Sequence, residues 1–491
     1  MYGMRKIAVE AASRQHDVLL LAAAGEAAKL ESTGIPVLSY TVPYAPGDTN
    51  ASHIQDAKSM LEAVTTATKV FADACDSVTG NASIMARLQG FQADVIVATT
   101  MNLCAQVLAS KLDKSFINYF PAGPIDPFFT AIYPDSNRRA FMPNPLSYNP
   151  QGGSVGISQH MTFLQRLWNV GNFLQFVLAD YFYLRPLSTG VYNKHGVNLA
   201  APQEMRRLIM HILSADFAME WLRPIPPNVK LVGPLLPEPP KALPADIEAF
   251  LQSSGEDGVL YVAMGTLSTL GVRERKAMAA SFATLPAKVL WRLALSEVPD
   301  EAAIAELGIG SNTKVLTWAP QNDVLGHSRV KAFLSHCGAN SMYEAAYHGV
   351  PIVGLPFFAD QPANAGKVVA KGMGVSITHK DILTPAFKEA ITKVLHYPRY
   401  RAAANLISRK LRARKRTPVQ EAVDWVEHVL ETDAEPYLRT PEEEMSFITR
   451  HNIDVNACIA GASFGMFYTL WQLGRFACRC LPKRSLKLKD A

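Results

Sequence analysis

Residues Trp318–Asn364 read WAPQNDVLGHSRVKAFLSHCGANSMYEAAYHGVPIVGLPFFADQPAN. Val330–Leu334 is a short apolar run of the kind that forms a buried strand. Ser335-His336-Cys337-Gly338 follows as a tight turn, and Asn340-Ser341 opens a helix that Gly349 and Pro351 close before a second strand at Ile352–Leu355. Strand, glycine turn, helix and strand make a βαβ unit. Its turn brings free backbone N–H groups and the positive end of a helix to the carboxyl edge of a parallel sheet, which is a seat for a phosphate.

The side chains around that seat extend the reading. His336 stands at a strand end, Gly338 lets backbone approach a ligand, and the amides near Asn340 and Ser341 can bond an anion. Ser341-x-x-Glu344 also fits a simple capping box. Trp318 leaves a strand where its ring can stack on a planar base. Glu344, one turn inside the helix, can accept two hydroxyl hydrogen bonds from a ribose. Asp360 and Gln361 follow another strand on the same edge and can hold sugar hydroxyls, although Asp360 can equally cap a helix begun at Pro362.

Outward from this unit the chain alternates strands and helices. Strands are expected at His16–Ala22, near Ile35–Val42, at Asp94–Ala98, Phe116–Phe120, Gly258–Met264, Lys288–Arg292 and Lys314–Trp318. Helices are expected at Met1–Arg14, across about Ala51–Gln89, at Leu103–Leu112, and after Lys388. The pattern predicts an α/β protein of doubly wound parallel sheets. Five prolines between Gly233 and Pro244 mark a stiff linker. It separates an N-terminal region (1–232) from a C-terminal one (245–431), with the Gly265-Thr266 turn early in the latter. Pro121–Gly156 reads as a long surface loop. Phe163–Tyr183 reads as a helix packed on the core, or as a segment touching a membrane or a greasy acceptor.

The 491 residues suffice for two or three domains. The last seventeen residues, with Arg475, Arg479, Lys483, Arg484, Lys487 and Lys489 against Asp490, carry the whole formal charge of +5. No basic stripe with interleaved aromatics appears elsewhere, which excludes nucleic-acid binding. Six cysteines in so long a chain set no disulfide framework and leave the redox compartment open. No metal-ligand spacing is found. The chain opens on an amphipathic helix, with neither the strand that should precede it in a parallel α/β domain nor a signal peptide.

After a return segment (432–454), Val455–Gly474 holds no charged residue, and twenty residues at ~1.5 Å each span a ~30 Å hydrocarbon core. The cations that follow place the tail (475–491) on the cytoplasmic side and the two large regions in a lumenal or extracellular space. Gly461 and Gly465 would permit close pairing of two such helices in a homodimer. Lys487 and Lys489 resemble a dilysine signal that returns membrane proteins to the endoplasmic reticulum.

Taken together, W-x-P-Q-x-x-x-L-x-H, H-C-G-x-N-S-x-x-E, G-V-P and D-Q-x-x-N within Trp318–Asn364 resemble the signature of the UDP-glycosyltransferases, the membrane-bound animal-type enzymes in particular. Weaker agreement runs through NPLSYNP and MTFLQRLWN (Asn144 to Asn169), RPIPPNVKLVGPL (Arg223 to Leu235), LPADIEAFL (Leu243 to Leu251) and GVLYVAMGT (Gly258 to Thr266). The resemblance implies two facing doubly wound domains of GT-B type plus the C-terminal anchor, and metal-free inverting transfer of a hexosyl or glucuronosyl group from a UDP-sugar to a hydroxyl of a small lipophilic acceptor. By position, Trp318 would stack on uracil and Gln321 would bond the uridine. His336, Gly338, Asn340, Ser341 and Thr266 would hold the diphosphate, Glu344 the ribose, and Asp360 with Gln361 the sugar.

Two departures stand out. The family's general-base histidine, at the start of the first helix, has no counterpart in Met1–Arg14, and His16 matches a later position. Thr99 stands where the family has the aspartate that orients that base. The expectation is therefore that about 20–40 further residues, carrying strand, base and signal peptide, precede Met1 in the full gene product. The alternative is a non-catalytic UDP-sugar-binding protein or an inactive truncated homologue.

Overall fold

The computed structural model describes residues 2–42, 60–99, 103–123, 159–265, 270–440, 445–450 and 452–480. Thr266, most of the Pro121–Gly156 loop and the basic residues from Lys483 onward lie outside them. The chain divides into two compact units, Met1–Arg439 and Thr440–Ala491.

The first unit opens with the helix Tyr2–Ser13, which buries Gly3, Ile7, Ala8 and Ala11 along one face. Strand β1 is Leu20–Ala23, shorter and later than the His16–Ala22 expected, and it pairs in parallel with β2, Val37–Tyr40. Strands β3 (Val95–Thr99), β4 (Ser115–Phe120), β5 (Leu208–Leu213) and β6 (Val229–Leu231) form a separate parallel sheet in that order. The alternation thus yields two sheets here where one was expected. Among the described residues no strand pairs with both β1 and β3 to join the two sheets.

The long helical region breaks where Asn81 caps a new helix, its side chain accepting from the amides of Ser83 and Ile84. This leaves helices Met60–Thr79 and Ala82–Phe91. Cys75, on the first of these, is bridged to Cys104, on the helix Cys104–Leu112, with the Cα atoms 4.9 Å apart. Both sulfurs sit inside an apolar cluster with Val78, Ile84 and Val107. The cysteine count gave no hint of this cross-link.

The helix Phe163–Ala179 overturns its first reading. Phe163, Leu164, Leu167, Trp168, Leu174 and Leu178 are exposed, whereas the polar Asn169 is only 1% exposed. Six large apolar side chains face outward, and the one described side chain of this helix that is fully buried is polar, unlike a helix packed on a core by its greasy face.

Strands β7 (Val259–Ala263), β8 (Lys288–Arg292), β9 (Thr313–Leu316), β10 (Val330–Ser335), β11 (Ile352–Gly354) and β12 (Gly374–Ser376) build a six-stranded parallel sheet in the order β12-β11-β10-β7-β8-β9. Its central strand is covered on both faces. Val259, Tyr261 and Ala263 enter one core, where Tyr261 stacks on Phe333 at 5.1 Å. Leu260 and Val262 enter the other, with Trp291 edge-on to Phe282 at 5.1 Å. That is why GVLYVAM reads as an unbroken apolar run instead of an alternating one.

The segment from Gly233 to Pro244 runs between the four-stranded sheet β3–β6, the first sheet hereafter, and the six-stranded sheet β7–β12, the second. Lys6 donates to the Leu236 carbonyl at 2.8 Å, and the Glu238 amide donates to Asn322 Oδ1 at 3.2 Å. After the second sheet the chain returns to the first, because the helix Pro418–Glu431 packs Val423 and Val426 with Ile7 and Ala11. Arg14 joins that packing through Asp424 and Glu427, both at 2.7 Å. The second unit contains the helix Ile453–Cys480, whose Ile453–Phe476 portion is long and apolar enough to cross a membrane and has no buried residue.

Candidate functional site

The register of the six-stranded sheet aligns Leu316, Arg292, Ala263, Ser335, Gly354 and Ser376 in one row near its carboxyl edge. The chain runs outward from β7 through β8 to β9, then returns to β10 and runs the other way through β11 to β12. The strand order therefore reverses between β7 and β10, and ligands of open parallel sheets bind at such a switch point. Gly265 leaves β7 there and His336 leaves β10.

The two glycines beside His336 are required by its ring. A Cβ on Gly265 would lie 2.6 Å from His336 Nε2 and one on Gly338 would lie 2.5 Å from it; Gly265 also has φ +75°. Burial lowers the His336 pKa to about 4, opposed by a hydrogen bond to the Ala263 backbone and aided by the Arg292 guanidinium. The imidazole is neutral at physiological pH, and its Nδ1 is buried. It can offer a phosphate a hydrogen bond but not a full charge. The nearby cation is Arg292, which bonds the Gly265 carbonyl. Sequence reasoning missed it, because the last residue of KVLWR looks like any strand end.

Cys337 follows with φ +63°, a conformation costly for a residue with a side chain. The next helix is Ala339–His348, with Gly338 as N-cap and no side-chain cap bond. Ser341 therefore lies inside the first turn and is not the capping residue, so the capping-box reading fails. Its Oγ accepts instead from Gln321 Nε2 at 3.0 Å, and the same nitrogen lies 2.5 Å from Glu344 Oε2. Gln321, Ser341 and Glu344 thus form one polar cluster. Burial pushes the Glu344 carboxyl up to about 7, with the Gln321 hydrogen bond and the Lys6 charge opposing. Asn340 is exposed, and Trp318, two residues past β9, presents its ring to solvent at 68% exposure.

Beyond β11, Ala359 adopts φ +55° just before the helix Gln361–Ala370. Asp360 makes no side-chain cap bond to that helix. Its Oδ2 accepts from Asn364 Nδ2 at 2.7 Å. Burial raises its pKa, opposed by bonds from Asn364 and the Ala339 amide and by the Lys367 charge. The Ala339 contact brings Asp360 to the N-terminus of the helix that carries Ser341 and Glu344. Gln361 is 5% exposed, and its Oε1 accepts from the Phe357 amide at 2.8 Å. Only its NH2 group is left for a ligand.

In the first sheet, Thr99 ends β3 in register with Tyr119 of β4. Gly3 abuts the Tyr119 hydroxyl, since a Cβ there would stand 2.0 Å from it, so the helix Tyr2–Ser13 starts over the carboxyl end of that sheet. His16 is turned away, with Nε2 3.1 Å from Glu427 on the returning helix.

The comparisons agree with this geometry. Residues 36–485 match the family model described as UDP-glucoronosyl and UDP-glucosyl transferase. The chain belongs to this family. UDP-glucuronosyltransferase 2B1 of Rattus norvegicus is 32% identical over 422 residues, covering 85% of this chain and 76% of that protein. The 2-hydroxyacylsphingosine 1-beta-galactosyltransferase of Homo sapiens is 30% identical over 403 residues, covering 81% and 70%. The glycotransferase of kitacinnamycin superposes with a TM-score of 0.61 at 16% identity, covering 87% of this chain and 95% of that one. CalG4, the calicheamicin glycosyltransferase, gives 0.58 at 20% identity, covering 88% and 95%. The fold of this UDP-glycosyltransferase family member is GT-B, and its family implies a UDP-sugar donor and an acceptor.

Proposed function

We propose that this protein transfers a hexosyl or glucuronosyl group, with inversion, from a UDP-sugar to a hydroxyl of a small lipophilic acceptor. The observation that carries the proposal is the convergence of Trp318, Gln321, His336, Gly338, Ser341, Glu344, Asp360 and Gln361 on one end of one sheet, around its switch point. The open Trp318 ring suits uracil, and the Gln321–Ser341–Glu344 cluster suits the uridine and its ribose. The amides opening the Ala339–His348 helix, the His336 N–H and Arg292 suit the diphosphate, and Asp360 and Gln361 suit the sugar. In the transfer, the acceptor oxygen attacks the anomeric carbon from the face opposite UDP. The new C–O bond forms as the bond to the diphosphate breaks, and a base takes the hydroxyl proton. The helix end and Arg292 stabilise the charge left on UDP.

We also place the protein in the endoplasmic-reticulum membrane as a single-pass chain, with the first unit lumenal and the tail cytoplasmic. The apolar helix and the cations after it support that orientation, and the Cys75–Cys104 bridge suits an oxidising lumen. The outward apolar stripe of Phe163–Ala179 suits contact with lipid or with a lipophilic acceptor.

A second reading, a UDP-sugar-binding protein without transfer activity, is favoured by Thr99 and by the lack of a histidine in the helix Tyr2–Ser13. One experiment separates the two. UDP release is followed from UDP-glucose, UDP-galactose and UDP-glucuronate with phenol, sterol and sphingolipid acceptors, and the product's anomeric configuration is read by NMR. Release that depends on acceptor, with an inverted product, supports transfer. Donor binding without release supports the second reading, and binding of no uridine nucleotide by folded protein refutes both.

A further inference from the structure

Behind Asp360 lies a buried ionic group whose members come from distant parts of the chain. Glu220, on the segment that leaves β5, is 3% exposed, and Lys367, on the helix Gln361–Ala370, is 8% exposed. Lys367 Nζ stands 2.9 Å from Glu220 Oε1 and 2.7 Å from Oε2. The Tyr343 hydroxyl, on the helix Ala339–His348, donates to the same Oε1 at 3.2 Å. Lys367 reaches Asn364 Oδ1 at 3.2 Å, and Asn364 Nδ2 reaches both the Cys337 carbonyl, at 3.0 Å, and Asp360 Oδ2. On the other side the group meets the first sheet. A Cβ on Gly123, just beyond β4, would lie 2.2 Å from the Glu220 carboxyl carbon.

The donor and acceptor inventory gives this chain a direction. An ammonium only donates, so Asn364 can show Lys367 only its amide oxygen. The amide NH2 must then face the other way, where its two protons go to the Cys337 carbonyl and to Asp360. Lys367 is itself held by a carboxylate that spends both oxygens on it. One oxygen of Asp360, Oδ2, is thereby fixed by the amide. A buried ion pair is weak support for stability, because desolvation offsets most of its attraction and apolar side chains of similar volume do as well. This one fixes the orientation of an amide between the phosphate turn and the sugar-facing carboxylate.

We infer that Lys367 and Glu220 are positioning residues for the transferred sugar: they orient Asn364, and through it hold Asp360 in the attitude that receives sugar hydroxyls. The inference rests on the reading of Asp360 as a sugar ligand. Because Glu220 also bears on Gly123, the acceptor-side sheet and the sugar carboxylate are joined by one chain of contacts.

The test uses the full chain in nanodiscs and the ratio of UDP-sugar to UDP affinity by calorimetry, with the donor that binds tightest. General loosening of the site lowers both affinities and leaves the ratio in place. Lys367→Met is expected to lower the ratio about tenfold, the scale of one hydrogen bond to a charged group. Turnover at saturating donor should fall by a similar factor, with the KM for acceptor unmoved. Lys367→Met leaves Glu220 buried without its partner, which costs folding stability, so it is paired with Glu220→Leu in a double variant that is neutral and well filled. The double variant is expected to fold and to keep the low ratio. A ratio that stays at the parent value in the single variant, or returns to it in the double, overturns the inference. Asp360→Asn is the control. If it lowers the ratio and Lys367→Met does not, positioning fails and the sugar-ligand reading stands; if it leaves the ratio unchanged, both fail.

Discussion

Around the second sheet, Gly265, Arg292, Trp318 and His336 each lie within two residues of a strand's carboxyl end. The other residues proposed to hold the donor sit on or cap the helices Gln321–Gly326, Ala339–His348 and Gln361–Ala370. Around the first sheet the equivalent edge is shared by Thr99, by Gly123 and by the segment carrying Asp216 and Glu220, with the helix Tyr2–Ser13 laid over it from the start of the chain. One edge is built from consecutive strand ends and helix starts within about a hundred residues read in order, most of them in the last fifty. The other is assembled from pieces up to two hundred residues apart, and a cross-link and a returning C-terminal helix hold its surroundings. A binding surface made locally should tolerate damage elsewhere in the fold, whereas one made from distant pieces should depend on whatever holds them.

The largest effect is expected at the switch point itself. Gly265→Val puts a β-branched residue at φ +75° and drives its Cβ into the His336 ring. Left-handed strain and overpacking each cost about 1–3 kcal/mol, so UDP affinity should fall roughly 100-fold or more. The core beneath is untouched, and the far-ultraviolet circular dichroism should stay as in the parent. Calorimetric titration with UDP checks this, and a variant that binds UDP normally would remove the phosphate from this turn.

The counterpart on the first sheet is the Cys75–Cys104 bridge. Replacing both cysteines by serine opens a loop between residues 29 apart in sequence. For a loop of that length the cost is about 3.6 kcal/mol of stability. Thermal unfolding should shift down, and cleavage by protease should begin within the first sheet. UDP affinity at temperatures where the protein remains folded should not change, since the described members of the bridge's cluster include none of the residues at the second sheet's carboxyl edge. Loss of UDP binding in the folded variant would mean that the two edges are not independent.

What the sequence made legible follows the same division. The βαβ unit around His336 is written in its own residues, because a strand, a glycine turn and a helix with Gly349 at its end, φ +68°, each depend on neighbours a few positions away. The Trp318, Gln321, Glu344 and Asp360 assignments came from the same local stretch. Arg292 and Lys367 were passed over because a lysine or arginine at a strand end or on a helix looks solvated until its partners are known. Glu220 is 147 positions from Lys367 and cannot be paired with it by any spacing. The Phe163–Ala179 helix shows the limit most clearly. Periodicity identifies its apolar stripe but not which side the protein buries, and here the protein buries Asn169.

Trp318 gives a smaller and cleaner test of the locally built edge. Its ring is 68% exposed, so Trp318→Ala should leave the melting temperature within about a degree of the parent. Stacking of a base on an aromatic ring contributes about 1–3 kcal/mol, and UDP affinity should therefore fall between about 5-fold and 150-fold. The loss should be the same for UDP and for UDP-sugar, because in the proposed arrangement the ring meets only the base. A loss confined to the UDP-sugar would place Trp318 against the sugar instead.

The smallest effect, and the most specific, is the pH dependence set by Glu344. Burial raises its carboxyl from an ordinary 4.5 to about 7, so the protein favours the protonated form. On folding alone, its contribution to stability is fully present below pH 4.5 and is lost as pH rises through about 7. Ribose binding runs the other way, because accepting two hydroxyl hydrogen bonds calls for the carboxylate. The ionised fraction rises about tenfold between pH 6 and pH 8, and donor affinity should strengthen by up to that factor. UDP-sugar is the right probe, since its diphosphate has no proton to lose in this range, whereas the terminal phosphate of UDP titrates near pH ~6. Glu344→Gln should flatten the profile and bind more weakly than the parent at pH 8. A parent profile already flat from pH 6 to 8 would show that the Gln321 hydrogen bond keeps Glu344 ionised throughout, and a slope that persists in Glu344→Gln would assign the titration to another group at the same edge.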